Sequence, residues 1–500
     1  MAAIITEKFR QSSANAFKAS FGTDKYYMFV GKSQPWTSEG ATSDSLPPAP
    51  VDSVAPESYY WDDMLAAKLI ATTNTTFAIP RRNYATTSAF DMYRHDVSGG
   101  TTTGSYPTKT TTSSGATSVY DSTYYFMTTA NRVYKVLYNG DPVQTGASNI
   151  SGTEPTSEQT GPFWHDANYY LKYMYTLTTS EVQNFLTTDF LPVKVNANSA
   201  ANRAVHAVMV TSGGSSYPNG TFYTKVRGDG TTTAIIKLQV TGGAIQEFGD
   251  GSAFTTMQNV GVGYSFGSTD LTGTNIYTDT SASTLIAGAT LTSWNAATAG
   301  AITPMIEPVG GHGTDAVSEL GGHYVMVQGK FEPSDSDATQ VNDFRRVGIV
   351  KNPNAGGSAA SVSTARTTNA LKISGTITTD FQVDELITQS TTGAQGRVIE
   401  WDATNKILYY VQEKYSSYGL DSSGNLVAFS TNATVTGSSS SASYGVDTGH
   451  SATTNGVVFS SGYATPELDR DSGEVIYVEN RRPISRASDQ TEDIKVVVEY

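Results

Sequence analysis

The six histidines are the first residues to consider for chemistry, because a neutral imidazole is the commonest protein ligand of a metal ion. They are His95, His165, His206, His312, His323 and His450. None belongs to a HExxH motif or to an i, i+4 helical pair, so the spacing does not indicate a zinc site. His312 and His323, with Asp315 between them, stay open as an alternative metal site. The favoured interpretation is ordinary loop and strand histidines, and we predict no metal ligands.

Hydroxyls and paired carboxylates give only a weak pattern for catalysis. Many serines are present, but no G-x-S-x-G motif stands at a strand-to-helix turn, where a nucleophilic serine would be expected. Asp62-Asp63 and Asp384-Glu385 are adjacent carboxylates of the type that glycoside hydrolysis uses in pairs. Nothing in the sequence places two of them across a cleft. We therefore expect solvated surface acids, and predict no catalytic residue and no enzymatic activity.

The amino-acid composition gives little evidence for a bound cofactor. The chain contains no cysteine, which excludes disulfides, thiolate catalysis, cysteine-bound zinc and iron–sulfur clusters. Gly228-Asp229-Gly230 lies in a glycine-rich stretch where calcium is an alternative, but the stretch lacks the alternating acids of an EF-hand loop. We predict that the chain binds no cofactor.

Two arginine pairs are candidates for binding carboxylates, because a guanidinium donates two parallel hydrogen bonds to such a group. Arg81-Arg82 follows Pro80, and Arg481-Arg482 follows Glu479-Asn480. Each pair either clamps an interface with another subunit or holds the chain together internally. One hypothesis is that a pair meets acids near the C-terminus, such as Glu474 or Glu492.

The charge balance excludes several partners. The formal net charge is −14, and no cluster of Lys and Arg longer than a pair occurs, so nonspecific binding to nucleic acid is not expected. The N-terminal stretch has neither the basic flank nor the apolar run of a secretory signal. No apolar run approaches the roughly 20 residues that span a bilayer. We predict no nucleic-acid partner, no membrane contact and no small-molecule substrate.

The composition favours a chain of many short strands. Hydrophobic residues make up 38% and charged residues 16%, both below the usual roughly 45–50% and roughly 25%. Glycine, serine and threonine fill the difference, and the chain has 29 tyrosines, which favour the exposed faces of strands. We predict a β-rich mixed α+β fold, multi-domain, with a discontinuous core and two mostly-β insertions.

Changes in composition along the chain set the predicted domain boundaries. Charged and apolar residues are frequent at both ends of the chain and in its middle, and are less frequent in two Gly/Ser/Thr-rich stretches. The predicted segments are 1–195 (N-terminal part of the core), 196–305 (a β insertion with a possible duplication), 306–365 (middle of the core), 366–460 (a second β insertion) and 461–500 (C-terminal core segment).

Local patterns predict several individual elements. Apolar residues at helical spacing over 5–21, followed by Gly22, predict a helix. Residues 124–127 and 132–138 predict a hairpin, and Thr178 with Glu181 has the spacing of a capping box. Ser58 is a candidate cap for a helix that continues through Leu69.

Several short motifs occur in the same order along this chain as in a known family. They are residues 30–38 (VGKSQPWTS, with Pro35 and Trp36), 47–54 (PPAPVDSV), 78–83 (AIPRRN, with Pro80, Arg81 and Arg82), 472–481 (SGEVIYVENR, with Glu474, Tyr477, Glu479, Asn480 and Arg481) and 489–492 (DQTE, with Asp489 and Gln490). Residues 343–353 match more weakly. In that order they resemble the dimeric intermediate wedge protein of the baseplate of T-even-like contractile-tailed phages.

The resemblance implies a structural role. It implies a homodimer that contacts other baseplate wedge proteins in the virion tail, is assembled in the host cytoplasm, and moves with its neighbours during contraction. The motif residues would then lie in an interface or hold the core together. The alternatives are a tail adhesin that binds host glycan, with Trp401, Tyr409 and Tyr410 as candidate aromatic contacts, and a glycan depolymerase. For the three aromatics, packing inside the sheet is the favoured interpretation.

Overall fold

A computed structural model describes most of the chain. The described residues are 5–32, 34–53, 59–86, 88–96, 116, 118–140, 152–165, 169–194, 202–278, 280–281, 284–285, 294–332, 343–414, 419–485 and 489–500. Within them, strands far outnumber helices, and the prediction of a β-rich mixed α+β fold is confirmed.

The helices and the strands up to residue 306 have the following bounds. The helices are α1 (Glu7–Ser20), α2 (Thr179–Phe185) and α3 (Ala316–Glu319). The strands are β1 (Tyr26–Gly31), β2 (Met64–Ile70), β3 (Thr75–Pro80), β4 (Tyr125–Met127), β5 (Arg132–Tyr138), β6 (Phe163–His165), β7 (Tyr169–Thr176), β8 (Phe190–Val193), β9 (Val205–Ser212), β10 (Gly220–Gly228), β11 (Ile235–Thr241), β12 (Ala244–Ile245), β13 (Thr256–Asn259), β14 (Gly267–Thr269), β15 (Thr280–Ser281), β16 (Thr284–Leu285) and β17 (Ala301–Ile306).

The remaining strands and three short 3₁₀ turns complete the described elements. The strands are β18 (Tyr324–Phe331), β19 (Phe344–Lys351), β20 (Asn354–Ala355), β21 (Ser358–Ala359), β22 (Thr364–Arg366), β23 (Asn369–Lys372), β24 (Leu386–Gln389), β25 (Gln395–Asp402), β26 (Ile407–Val411), β27 (Thr434–Gly437), β28 (Ser443–Gly445), β29 (Thr453–Thr454), β30 (Val457–Val458), β31 (Tyr463–Ala464), β32 (Glu474–Ile484) and β33 (Glu492–Glu499). The 3₁₀ turns are Trp36–Glu39, Thr72–Asn74 and Gly273–Asn275.

The chain divides into two compact units, and each is assembled from separate stretches. The first unit comprises Met1–Ala16, Thr76–Met326 and Val497–Tyr500. The second comprises Phe17–Thr75 and Val327–Val496. The five segment boundaries that composition suggested, and the duplication within 196–305, stay predictions.

The first unit is built on two larger antiparallel sheets. One has the strand order β4-β5-β7-β6, and its long strand β5 is buried along six of its seven residues. The other has the order β12-β11-β10-β14, with β13 also paired to β11. Strand pairs β9–β17 and β3–β8 accompany them. A hydrophobic core around Tyr134, Val136, Leu171, Val208 and Ile236 fills the unit.

The second unit contains a five-stranded and a seven-stranded antiparallel sheet. The first has the order β22-β2-β1-β19-β32, and the second β28-β27-β24-β25-β26-β23-β31. Strands β1 and β19 are buried almost throughout, because each lies between two neighbouring strands and is covered on both faces. Strand β32 is one of the two edge strands and has no fully buried residue.

Most of the predicted elements are present, but the predicted helix through Leu69 is wrong. Helix α1, the β4–β5 hairpin and the capping box of α2 are confirmed. Residues 59–62 are helical, whereas 64–70 form strand β2. Strand β2 pairs with β1 on one side and β22 on the other, and Met64 to Ala67 are all buried. A strand buried on both faces gives a continuous apolar run, which periodicity does not separate from a buried helix.

Candidate functional site

The Pro35–Trp36 motif forms a tight turn directly after strand β1. Lys32 adopts a left-handed backbone (φ 73°) and donates its backbone N–H to the Asp63 carbonyl at 2.8 Å. Trp36 then opens a 3₁₀ turn that Gly40 ends in the left-handed region. The Trp36 side chain is fully buried, and its indole Nε1 donates to the Arg481 carbonyl at 2.6 Å. The turn therefore joins two of the motifs that lie far apart in the sequence.

Charged groups surround the Trp36 ring. The Lys32 Nζ lies 4.9 Å from the ring centroid, and the Arg346 guanidinium lies 5.4 Å from it. Arg346 also forms a buried ion pair with Asp63 and donates through Nε to the Asn480 Oδ1 at 3.0 Å. We call Lys32, Trp36, Asp63, Arg346 and Asn480 the Trp36 cluster.

The Trp36 cluster is suited to holding strands together. Its members lie on or beside β1, β2, β19 and β32, four of the five strands of one sheet. Lys32, Asp63 and Arg346 are each at most 5% exposed, so their charges need partners close by. Asp63 supplies the carboxylate and the Trp36 ring supplies a cation–π surface. The arrangement pairs Arg346 with Asp63 internally and presents no activated nucleophile.

The C-terminal motif residues on β32 form a short chain of contacts. The Tyr477 hydroxyl donates to the Glu479 Oε2 at 2.8 Å, and Arg481 Nη2 donates to the same oxygen at 2.9 Å. Burial raises the pKa of Tyr477 well above its usual range, and the neighbouring Glu479 adds to this effect. Glu474 is exposed at the start of the strand, opposite Lys351 in the register. Thus Arg481 meets the neighbouring acid Glu479.

The Arg81–Arg82 pair lies in the first unit and binds backbone carbonyls. Arg81 Nη1 donates to the Thr187 carbonyl at 2.7 Å, and Arg82 Nη2 donates to the Tyr120 carbonyl at 2.5 Å. The Arg82 guanidinium also lies 4.4 Å from the Tyr125 ring centroid, and the Tyr125 hydroxyl donates to the Pro80 carbonyl.

The other motif residues lie near the surface. Arg482 donates through Nε to the Ser45 carbonyl at 3.0 Å. Asp489 and Gln490 are exposed, and Gln490 donates to the Glu492 carboxylate at 2.6 Å. A role for any of the motif residues in an interface between subunits stays a prediction.

A buried ionic network in the first unit was not predicted from the sequence. Lys135, within β5, has no exposed surface and donates to the Glu319 Oε2 at 2.8 Å. Its Nζ also lies 3.0 Å from the His312 Nδ1. Glu307 accepts from the backbone N–H of His312 and lies 3.2 Å from the His206 Nε2. The one signal in the sequence is a lysine in the middle of the apolar run RVYKVLY.

Burial and charge pairing shift the pKa values of this network. Burial lowers the pKa of the His312 imidazole to about 4, and the neighbouring Lys135 charge adds to the effect. Burial alone would raise the pKa of Glu319, but Lys135 and the hydrogen bond to His312 lower it to about 2. At neutral pH the network therefore holds an ionised Glu319 beside a neutral His312. Burial lowers the pKa of Lys135, whereas the neighbouring Glu319 carboxylate acts to raise it.

The alternative metal sites do not assemble in the structure. His312 belongs to the Lys135 network, whereas His323 lies 3.5 Å from Glu7. Within the described ranges, no group of three or more His, Asp or Glu side chains has the geometry to hold a metal ion. Asp229, the calcium alternative, accepts hydrogen bonds from the Ser265 hydroxyl and backbone, which lower its pKa to about 2.

The expectation that the paired carboxylates are solvated surface acids is wrong for three of the four. Asp62 and Asp63 are buried beside Arg470 and Arg346, and Glu385 is buried. Glu385 accepts hydrogen bonds from the backbone of Ser439 and Ser440. These acids are held by counter-charges and turn amides, which sequence spacing does not reveal. Asp384 is half-buried, and burial raises its pKa to about 6.

The candidate glycan-binding aromatics do not form an exposed surface. Tyr409 and Tyr410, on opposite faces of β26, are 6% and 4% exposed. Trp401 is half-buried, packs edge-on against Phe381, and donates its indole N–H to the Asp380 carboxylate at 2.8 Å.

The comparisons with known proteins point to phage baseplates. Residues 3–135 and 446–500 match the family described as bacteriophage T4 Gp8. The baseplate wedge protein gp8 of Enterobacteria phage T4 is 31% identical over 122 residues. That alignment covers 24% of this chain and 36% of the relative's own length. The chain is therefore related, in part and distantly, to baseplate wedge proteins.

The matched segments contain every motif residue that the sequence singled out at the two ends of the chain. Four members of the Trp36 cluster lie within the matched ranges, namely Lys32, Trp36, Asp63 and Asn480, whereas Arg346 lies between those ranges. No helix in the described part of the chain is long and apolar enough to cross a bilayer.

Proposed function

We propose that this chain is a structural subunit of the tail baseplate wedge of a contractile-tailed phage. In this proposal it works as a homodimer, contacts neighbouring wedge proteins, and moves with them when the tail contracts. It is assembled in the host cytoplasm and acts through contacts, without catalysis or a cofactor.

The observation that carries the proposal is the match of both chain ends to the T4 Gp8 family. The matched ends also meet inside one sheet, because the Trp36 indole from residues 3–135 donates to the Arg481 carbonyl from residues 446–500. The two matched segments therefore contact each other in the fold, which supports one common function for both of them.

The charge distribution in the described residues supports a structural role. Asp63 with Arg346 and Lys135 with Glu319 are buried ion pairs, and Glu319 also accepts the backbone N–H of Gly313. A catalytic site usually keeps a nucleophile and a base within reach of a substrate. The two networks instead fix strands to each other, as expected of a subunit that transmits force.

The molar mass in solution tests the homodimer. Light scattering of the purified chain over a concentration series is expected to give twice the chain mass of 53.2 kDa. A monomer at every concentration would contradict the homodimer. A trimer would contradict the wedge assignment and favour the adhesin, because a threefold assembly has a different closed symmetry from a twofold pair.

A further inference from the structure

Strand β32 has an open edge in the second unit. Its 11 residues pair on one side with β19 and form one end of the five-stranded sheet. Within the described part of the chain, no backbone group hydrogen-bonds to the backbone of β32 on its other side. The Arg481 carbonyl accepts the Trp36 indole N–H, so the open stretch is Glu474–Asn480. A row of unpaired N–H and C=O groups at a sheet edge is a template for a further strand.

The middle of this open stretch is apolar and accessible. Residues 475–478 (VIYV) carry no charge, none of them is fully buried, and Ile476 is 40% exposed. A groove of about 350 Å³ is lined by these four residues and by Pro50–Ser53, where Val51 is 62% exposed. Apolar groups that are exposed together mark a surface for contact with another protein chain.

The charges along β32 favour a second copy of the same strand as the partner. The strand begins with the exposed acid Glu474, and near its end lies the exposed base Arg482. Antiparallel pairing of two copies sets the acidic start of each strand against the basic end of the other. Cross-strand pairs of opposite charge are favourable, whereas parallel pairing would set like charges side by side.

We propose that β32 pairs antiparallel with the β32 of a second copy across a twofold axis, and so forms the interface of the homodimer. This inference rests on the homodimer proposed above and adds the surface through which the two copies meet. The paired strands join two five-stranded sheets into one continuous sheet, and the second copy covers the exposed Ile476. The contact is isologous, as a closed twofold dimer requires.

The twofold axis limits the register of the two strands. Side chains that lie directly opposite each other in an antiparallel pair project from the same face of the sheet. A twofold axis perpendicular to the sheet preserves this alternation only if one residue faces its own copy. With Val478 on the axis, Glu474 of each copy lies opposite Arg482 of the other. This register forms two pairs of opposite charge and places the apolar stretch at the centre.

Disulfide cross-linking tests this register, because the chain has no cysteine of its own. Val478→Cys places one thiol of each copy beside the axis, where facing Cβ atoms lie about 4.5–5.5 Å apart, close to the roughly 3.5–4.5 Å of a disulfide. Mild oxidation is expected to convert most of the protein to a covalent dimer on a non-reducing gel. Val458→Cys, at a position 69% exposed on β30 of the same unit, is the control and is expected to cross-link at least fivefold less.

Charge reversal gives a second test that does not depend on the folding of the cysteine variant. Glu474→Arg sets two arginines against each other at two places in the dimer. It is expected to raise the dissociation constant of the dimer about tenfold, measured by light scattering on dilution. Glu474→Arg combined with Arg482→Glu restores both opposite-charge pairs and is expected to return the constant to within about threefold of the unmodified value.

The outcomes separate this interface from the homodimer itself. A dimer in solution whose Val478→Cys variant cross-links no better than Val458→Cys would overturn the β32 interface and leave the homodimer standing. A double charge variant as weakly dimeric as Glu474→Arg alone would do the same. A chain that is monomeric at every concentration would overturn the homodimer and this interface together.

Discussion

At the scale of single residues, the main feature is the burial of charge in pairs. Asp63 with Arg346 and Lys135 with Glu319 are ion pairs in which every side chain is less than a tenth exposed. Such a pair adds little compared with a well-packed apolar pair, but removal of one partner leaves an uncompensated buried charge. The single substitutions with the largest effects are therefore expected at these positions.

Substitution Asp63→Ala is expected to destabilise the fold by about 3–5 kcal/mol, because Arg346 would keep its charge without its buried carboxylate. Urea denaturation measures the change. Asp52→Ala, at an exposed aspartate, is the matched control and is expected to change stability by less than about 0.5 kcal/mol. Equal effects of the two substitutions would contradict the assigned role of the Trp36 cluster.

His312 predicts a pH dependence of stability. Its pKa is about 4 in the fold, whereas the ordinary value for a histidine in water is 6.5. Between these values the unfolded chain binds more protons than the folded chain, so stability falls as the pH drops from 6.5 towards 4. Denaturation midpoints across this window are expected to show a shallower loss in His312→Gln than in the unmodified chain.

Comparison with the variant measures the contribution of His312 together with its effect on Glu319 and Glu307, whose pKa values it lowers. Asp62 and Asp384 have pKa values raised by burial to about 6, so each acts in the opposite direction between pH 3.8 and 6. Both remain in His312→Gln and cancel in the difference between the two proteins. Identical slopes in the two proteins would show that His312 is not held neutral by its surroundings.

At the scale of elements, the sequence predicts structure correctly where residues adjacent in the chain determine it. The capping box at α2 is confirmed, because Thr178 Oγ1 accepts from the Glu181 N–H and Glu181 accepts from the Thr178 N–H. Strand β2 was missed, because its apolar run is set by two neighbouring strands that are distant in sequence. The burial of Asp62, Asp63 and Lys135 was missed for the same reason, since their counter-charges come from far along the chain.

The capping box gives a prediction at this scale. Thr178→Ala is expected to lower stability by about 1 kcal/mol, because it removes the side-chain acceptor at the helix N-terminus. Ser180→Ala, in the first turn of the same helix, is the control and is expected to be nearly neutral, since Ser180 is exposed and is not the capping residue. Thermal denaturation of the two variants side by side makes the comparison. A loss in Ser180→Ala as large as in Thr178→Ala would contradict the capping role.

At the scale of the whole molecule, both units depend on distant parts of the chain. The first unit contains the N-terminal residues and the last four residues, and the second brings 17–75 together with 327–496. The family match is also split along the chain, because it covers the two ends and omits residues 136–445. The motifs therefore marked the related segments, whereas the five segment boundaries drawn from composition stay predictions.

The most direct test of the proposed baseplate role is the position of the chain in the virion. Antibodies against the purified chain, with gold labels, are applied to virions of the phage that encodes it and viewed by electron microscopy. Label at the distal end of the tail, on the baseplate, is the predicted result, with none on particles made without the gene. Label on the capsid or at fibre tips, or virions that lack the chain, would contradict the assignment.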